Sequence, residues 1–442
     1  MFEGLEIGEL IRQACQSRGW GPAKLARELG IAEGRGPNGL DRQSVRRWMV
    51  GKRKPDYWLP FIVEVLDLDA TLVRAGERAE SEPVVADTVA SVLELGRSDV
   101  LRRNFLGATG AYALGVLNLP DPESIVRRTA NRARSIRVGS GEIVAIRQMT
   151  QRLGDAAAEL GGGHARHLAV RYLTEDVGPW LEGTYTENTG RALFAASSQL
   201  VHLAGWMAQD EGNDGLAQRY YAHAYRLAAE AGDVELSATA LRGLAVQAID
   251  LGHRAVALRI SEKCVEEAKN LDDPRAVSYY QTTLADAAAL DGDRRLATRA
   301  LADSRAAIER APDAPPGESW ASHFSVGRWA HHSGMILAQL GDLDAATDYL
   351  GQALDIHGLD RRRSRAIVLA DLGQVHLRRG DLDAALSTWG AFLECADGIR
   401  SVKVGQAAQD MYARLDRHRS VPEAAELRER AEALLPLESA TT

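Results

Sequence analysis

The chain has 442 residues, 45% of them hydrophobic and 6% aromatic, with a formal charge of −8 at pH 7. A chain this long exceeds one ordinary domain, and its wealth of Ala, Leu, Arg and Glu with few β-branched runs favours helix throughout. The N-terminus, MFEGLEIGEL, carries acids where a secretory signal carries cations, and no apolar run is long enough for a spanning helix, so export and membrane insertion are not expected.

Cys15, Cys264 and Cys395 are few, odd in number and not spaced as a metal pair. They fit buried thiols in a reducing, cytoplasmic setting.

The first 66 residues hold eleven Lys/Arg against eight Asp/Glu, so the net negative charge lies entirely in the remainder. Ile7, Ile11 and Ala14 repeat at helical spacing and predict a first helix from Glu6 to Arg18, ended by Gly19. Pro22 opens a second helix with Leu25, Ala26 and Leu29 buried and Gly30 as its stop. After a Gly-rich turn, Asp41 is the expected N-cap of a third helix. Val45 and Trp48 face inward there, leaving Arg42, Gln43, Arg46 and Arg47 outside. A fourth helix, about Tyr57 to Leu66, closes this core. Between Leu40 and Lys54 stand six cations (Arg42, Arg46, Arg47, Lys52, Arg53, Lys54) and one anion, Asp41. A basic patch on an acidic protein is the electrostatic footprint of nucleic-acid binding.

The pieces KLARELG and RQSVRRWMVGKRKP resemble the second and third helices of the XRE-type, lambda-repressor-like helix-turn-helix family, over roughly residues 6–67. The turn between them is longer than the family's compact one. The resemblance implies double-stranded DNA as a partner. Arg42, Gln43 and Arg47 would then meet base edges, Arg suiting guanine and Gln adenine. It assigns Lys52, Arg53, Lys54 and Lys24 to phosphates, Arg46 to the flank, and Ser44 to either.

Residues 67–140 read as a charge-rich linker with a connecting helix; Pro83 interrupts it. Within it, Arg102, Arg103, Phe105 and Leu106 precede a small apolar run that looks like a twin-arginine signal, but its internal position argues against export.

Residues 141–442 carry a repeat. Gly212, Gly252, Gly292, Gly341 and Gly380 are separated by 40, 40, 49 and 39 residues. Alanine stands five places after each (Ala217, Ala257, Ala297, Ala346, Ala385), and a small residue seven places before each (Gly205, Ala245, Ala285, Gly334, Gly373). Small residues let two antiparallel helices approach, glycine turns the chain between them, and pairs must stack to bury their faces. The pattern resembles tetratricopeptide repeats of stretched period, with a degenerate terminal copy near 403–436. The expected fold is therefore all-α: a helix-turn-helix domain (1–66), a linker (67–140) and a C-terminal α-solenoid (141–442). As a whole, the layout resembles a large group of actinobacterial transcriptional regulators.

In that register His202, Trp206, Gln209, Arg242, Tyr279, Thr282, Asp286, Arg328, His331 and Gln374 fall on the concave side. Their mix of amide, aromatic and charged groups suits a peptide or small polar effector. The pairs Tyr220–Tyr221 and Tyr279–Tyr280 read as helix packing, and no metal, cofactor or enzymatic site is expected. The leading expectation is a sequence-specific regulator, dimeric so that two heads read a two-fold site. The alternative is an interaction scaffold with secondary DNA contact.

Overall fold

The computed structural model describes residues 11–12, 14–16, 18, 20–32, 40–50, 55, 58, 61–62, 65–66, 88–101, 136–312, 317, 319–356 and 361–432. They fall into two compact units, one within residues 1–87 and the other beginning at Thr88. The fold is all-α. Among the described residues the nearest thing to a sheet is one isolated bridge, Arg137 to Thr184.

In the first unit, α1 (Pro22–Ala32) and α2 (Arg42–Met49) pack together. Helix α1 runs past Gly30, the expected stop: this glycine is buried, and glycine is tolerated within a helix at a cost of about 1 kcal/mol. Asp41 caps α2, its Oδ1 accepting from the backbone N–H groups of Gln43 (2.8 Å) and Ser44 (3.0 Å). Ile11, Cys15, Leu25, Leu29, Val45, Trp48, Ile62 and Leu66 form one buried core. The described parts of the expected first and fourth helices contribute Ile11, Cys15, Ile62 and Leu66 to it. Arg12 Nη2 donates to the Met49 carbonyl (2.6 Å), a cation at the C-terminal end of α2, where the helix dipole favours it.

The second unit is built from antiparallel helix pairs. It opens with α3 (Thr88–Leu101), α4 (Ser140–Leu160), α5 (Gly162–Tyr172) and the short α6 (Gly178–Leu181). The pairs that follow are α7 (Glu187–Asp210) with α8 (Asp214–Ala231), α9 (Val234–Asp250) with α10 (Arg254–Glu267), and α11 (Pro274–Asp291) with α12 (Arg294–Ile308). Then come α13 (Val326–Leu340) with α14 (Leu343–Asp355), α15 (Arg362–Arg379) with α16 (Leu382–Ala396), and α17 (Val402–Leu415) with α18 (Pro422–Glu432). Helix α3, inside the stretch read as a linker, belongs to this body. Its Asp99 accepts from Tyr220 Oη (2.7 Å) and pairs with Arg166, and its Leu93 packs on Gly178.

The repeat pattern has a direct structural cause. All five marker glycines have positive φ, from 74° at Gly252 to 92° at Gly292, and each sits in the turn between paired helices. The five alanines that follow are fully buried. The small residue seven places earlier is where the pair touches: a Cβ on Gly373 would lie 2.5 Å from Trp389, and one on Gly334 2.8 Å from Leu350. Tyr220, Tyr221, Tyr279 and Tyr280 are all buried, as expected for packing.

The array also closes on itself. Arg400 N donates to Leu160 O (2.9 Å), and Arg361 meets Asp155 (2.8 Å). Gly161 lies so close to Arg400 that a Cβ would stand 2.0 Å from its carbonyl oxygen. The glycine triplet 161–163 is therefore a seam between the beginning and end of the array.

Candidate functional site

Two places concentrate chemistry. On α2, Val45, Trp48 and Met49 are buried while Arg42, Gln43, Arg46 and Arg47 are exposed. Ser44 is half-buried, and its hydroxyl donates to Asp41 Oδ2 (2.6 Å). The Ser44 hydroxyl and the capped backbone amides hold the Asp41 carboxyl below the usual carboxylate range. Ser44 thus serves the cap as it stands. Lys24 is exposed with its ammonium 4.8 Å from the Trp20 ring centroid. Lys52, Arg53 and Lys54 lie outside the described residues.

The second place is the inner wall of the body. Arg363 of α15 is buried and forms a bidentate ion pair with buried Asp210 of α7, its Nε lying 3.0 Å from Oδ2. Asp210 also accepts from Gly162 N (2.9 Å) and Ser401 Oγ (2.8 Å), so four chain segments converge on one carboxylate. The Arg363 guanidinium covers Trp206 at 4.9 Å. Lys403 of α17 reaches Asp250 of α9 (2.9 Å).

The 49-residue spacing has a structural counterpart here. The extra residues lie between α12 and α13, and they bring Trp320 onto α7, with ring centroids 5.7 Å from His202 and 6.4 Å from Trp206. Phe324 from the same connection packs on Tyr279 at 5.1 Å.

The sequence-selected residues divide. Trp206, Gln209, Arg242, Asp286, Arg328, His331 and Gln374 keep partial exposure. His202, Tyr279 and Thr282 are buried instead. Thr282 belongs to packing between paired helices, its Oγ1 2.6 Å from Ser304 Oγ. His202 lies between Tyr221 and Trp320, and burial first, then nearby Arg242, lowers its pKa from 6.5 to about 3, so the ring is neutral. Gln209 donates to Asp250 (2.7 Å) and accepts from Tyr221 Oη (2.8 Å). His331 Nε2 is 2.8 Å from Asp371, and Gln374 donates to Asp410 (3.1 Å). Burial raises the Asp286 carboxyl to about 6, helped by Asp250 and opposed by Lys403, Arg242 and His331. Sequence reasoning missed Asp210, Trp320, Arg363 and Lys403; of these, only Trp320 left a trace, in the irregular spacing.

Among the described residues, no group of three or more His, Cys, Asp or Glu is placed to hold a metal ion, and no helix is long and apolar enough to cross a membrane. Residues 325–388 match the tetratricopeptide repeat family, a likeness that points to protein–protein interaction and covers α13 to α15 and part of α16. No curated protein matches the chain.

Proposed function

We propose that this protein is a DNA-binding transcriptional regulator, its head reading double-stranded DNA through α2 and its repeat body dimerising, binding an effector, or both. One observation carries the reading: a short helix, locked by an Asp cap and a buried Val–Trp–Met face, presents three arginines and a glutamine to solvent from a small unit of its own. Arg42 and Arg47 suit guanine edges and Gln43 adenine in the major groove, while Arg46 and Lys24 would meet phosphate. One small head makes too few contacts for useful specificity, so a homodimer on a two-fold site follows.

The test is selection of genomic duplex fragments by the purified full-length protein, with native mass spectrometry of the same sample. A recurrent, salt-sensitive motif and a dimer mass are expected. Absence of salt-sensitive retention on any duplex ends the proposal.

The match at residues 325–388 favours a second reading, a scaffold whose repeats bind a partner protein and whose DNA contact is secondary. Recovery of one stoichiometric partner, with no enriched DNA, would select it.

A further inference from the structure

Among the described residues, the inner wall of the body holds two arginines, Arg242 and Arg328, that no ion pair neutralises. Arg242 of α9 lies with its guanidinium carbon 3.7 Å from the Tyr279 ring centroid, and its Nε is fully buried without a hydrogen-bond partner. Arg328 of α13 is half-buried, and burial, opposed by Tyr279 and reinforced by the charges of Arg242, Arg361 and Arg363, disfavours its cationic form. Among the described residues neither guanidinium has an ion-pair partner. By contrast, Arg363 is matched by Asp210, and Arg166 by Asp99 and Glu211. Asp286 feels the charge of Arg242 but forms no ion pair with it, and its carboxyl is raised rather than lowered.

An enclosed guanidinium without an anion is costly, and two together cost more, because each loses water and repels the other. Such a pair persists where a ligand completes it, and the planar fork of arginine suits carboxylate and phosphate oxygens. The wall beside them is aromatic: the Trp320 ring meets Trp206 at 51°, and neutral His202, which feels the charge of Arg242, lies between Trp320 and Tyr221. His202 Nδ1 is a second buried polar atom here without a hydrogen-bond partner.

We propose that the inner wall binds a small organic anion, its carboxylate or phosphate held between Arg242 and Arg328 and its planar part lying against Trp206 and Trp320. This names the chemical class of the effector and rests on the reading of the body as a sensor. The anion joins α9 to α13 by neutralising one cation from each. It thereby stabilises the arrangement in which the connection bearing Trp320 covers α7.

The test uses full-length protein at low salt with three probes of the same ring: benzoate, phenyl phosphate and, as the neutral control, benzyl alcohol. Tryptophan emission and thermal midpoint are followed. At least one anion is expected to change the emission saturably and raise the midpoint, and the tighter of the two names the group; benzyl alcohol does neither. Arg328→Met is expected to weaken anion binding by about tenfold or more, at least about 1.4 kcal/mol. It should also raise the midpoint of the ligand-free protein, because an unpaired enclosed charge has gone.

Equal anion affinity in Arg328→Met overturns the proposal, as does equal binding of benzyl alcohol or no response to either anion. A lower ligand-free midpoint in that variant also overturns it, by giving Arg328 a purely structural role. Duplex retention measured on the same samples separates the two readings. Anion binding without DNA binding sinks the regulatory function alone; DNA binding without anion binding sinks this inference alone.

Discussion

On α2 of the head, Arg42, Arg46 and Arg47 stand in solvent on the outer face of a capped helix, whereas in the body Arg363 is buried against Trp206, Arg242 is half-buried against Tyr279, and Arg328 is half-buried. The same side chain has opposite energetics in the two places. A solvated arginine adds little to folding and remains available to a polyanion. An enclosed one must be matched, and removing its partner is severe. The contrast teaches that arginine content alone does not locate a binding surface; burial decides whether the charge serves folding, a small ligand or a large one.

The contrast is tested first where the charge is deepest. Asp210→Ala leaves Arg363 buried without its carboxylate and orphans Gly162 N and Ser401 Oγ, so a loss of about 3–5 kcal/mol is expected in denaturant unfolding. A loss no greater than that of an exposed acid would break the distinction.

Next comes Asp286, whose folded pKa of about 6 exceeds its ordinary 3.8. The protonated form is favoured by folding, so its contribution is full below pH 3.8 and disappears as pH rises to about 6. Asp286→Asn should therefore gain stability relative to wild type across that window, by up to about 3 kcal/mol, and stay level above it. Paired melts over this pH range check it; a flat difference refutes the burial of this carboxylate.

For the exposed set, Arg47→Ala should weaken binding to the selected site by about 1–3 kcal/mol and relax one base position, with the thermal midpoint unchanged. An unchanged footprint would mean that Arg47 does not face the bases. The smallest effect is expected for Asp41→Ala, which removes the acceptor for two α2 amides and the partner of Ser44. It should fray α2 and lower the midpoint slightly, readable by amide exchange at Gln43 and Ser44.

How much the sequence disclosed depends on how local each feature is. The turn glycines were legible because each pair repeats one local problem: a left-handed turn and a close helix crossing. Asp41 was legible as a cap for the same reason. The Asp210–Arg363 pair was not, since its members are 153 residues apart and meet only because the stack curves round. The 49-residue spacing announced extra chain but not its path; only the fold carries Trp320 to His202. Membership of the inner wall was read one helical register at a time, which is why Trp206 and Arg328 kept partial exposure while Thr282 turned out to serve packing.

The seam at Gly161 and Arg400 changes what kind of object the body is. A linear stack of helix pairs can fray from either end, each pair depending only on its neighbours. Here the last pairs hold the first through the Asp210 junction, so trimming the C-terminus strips support from residues more than 150 positions upstream. The body should consequently melt in one cooperative transition, and shortening it pair by pair should produce abrupt failure rather than graded loss.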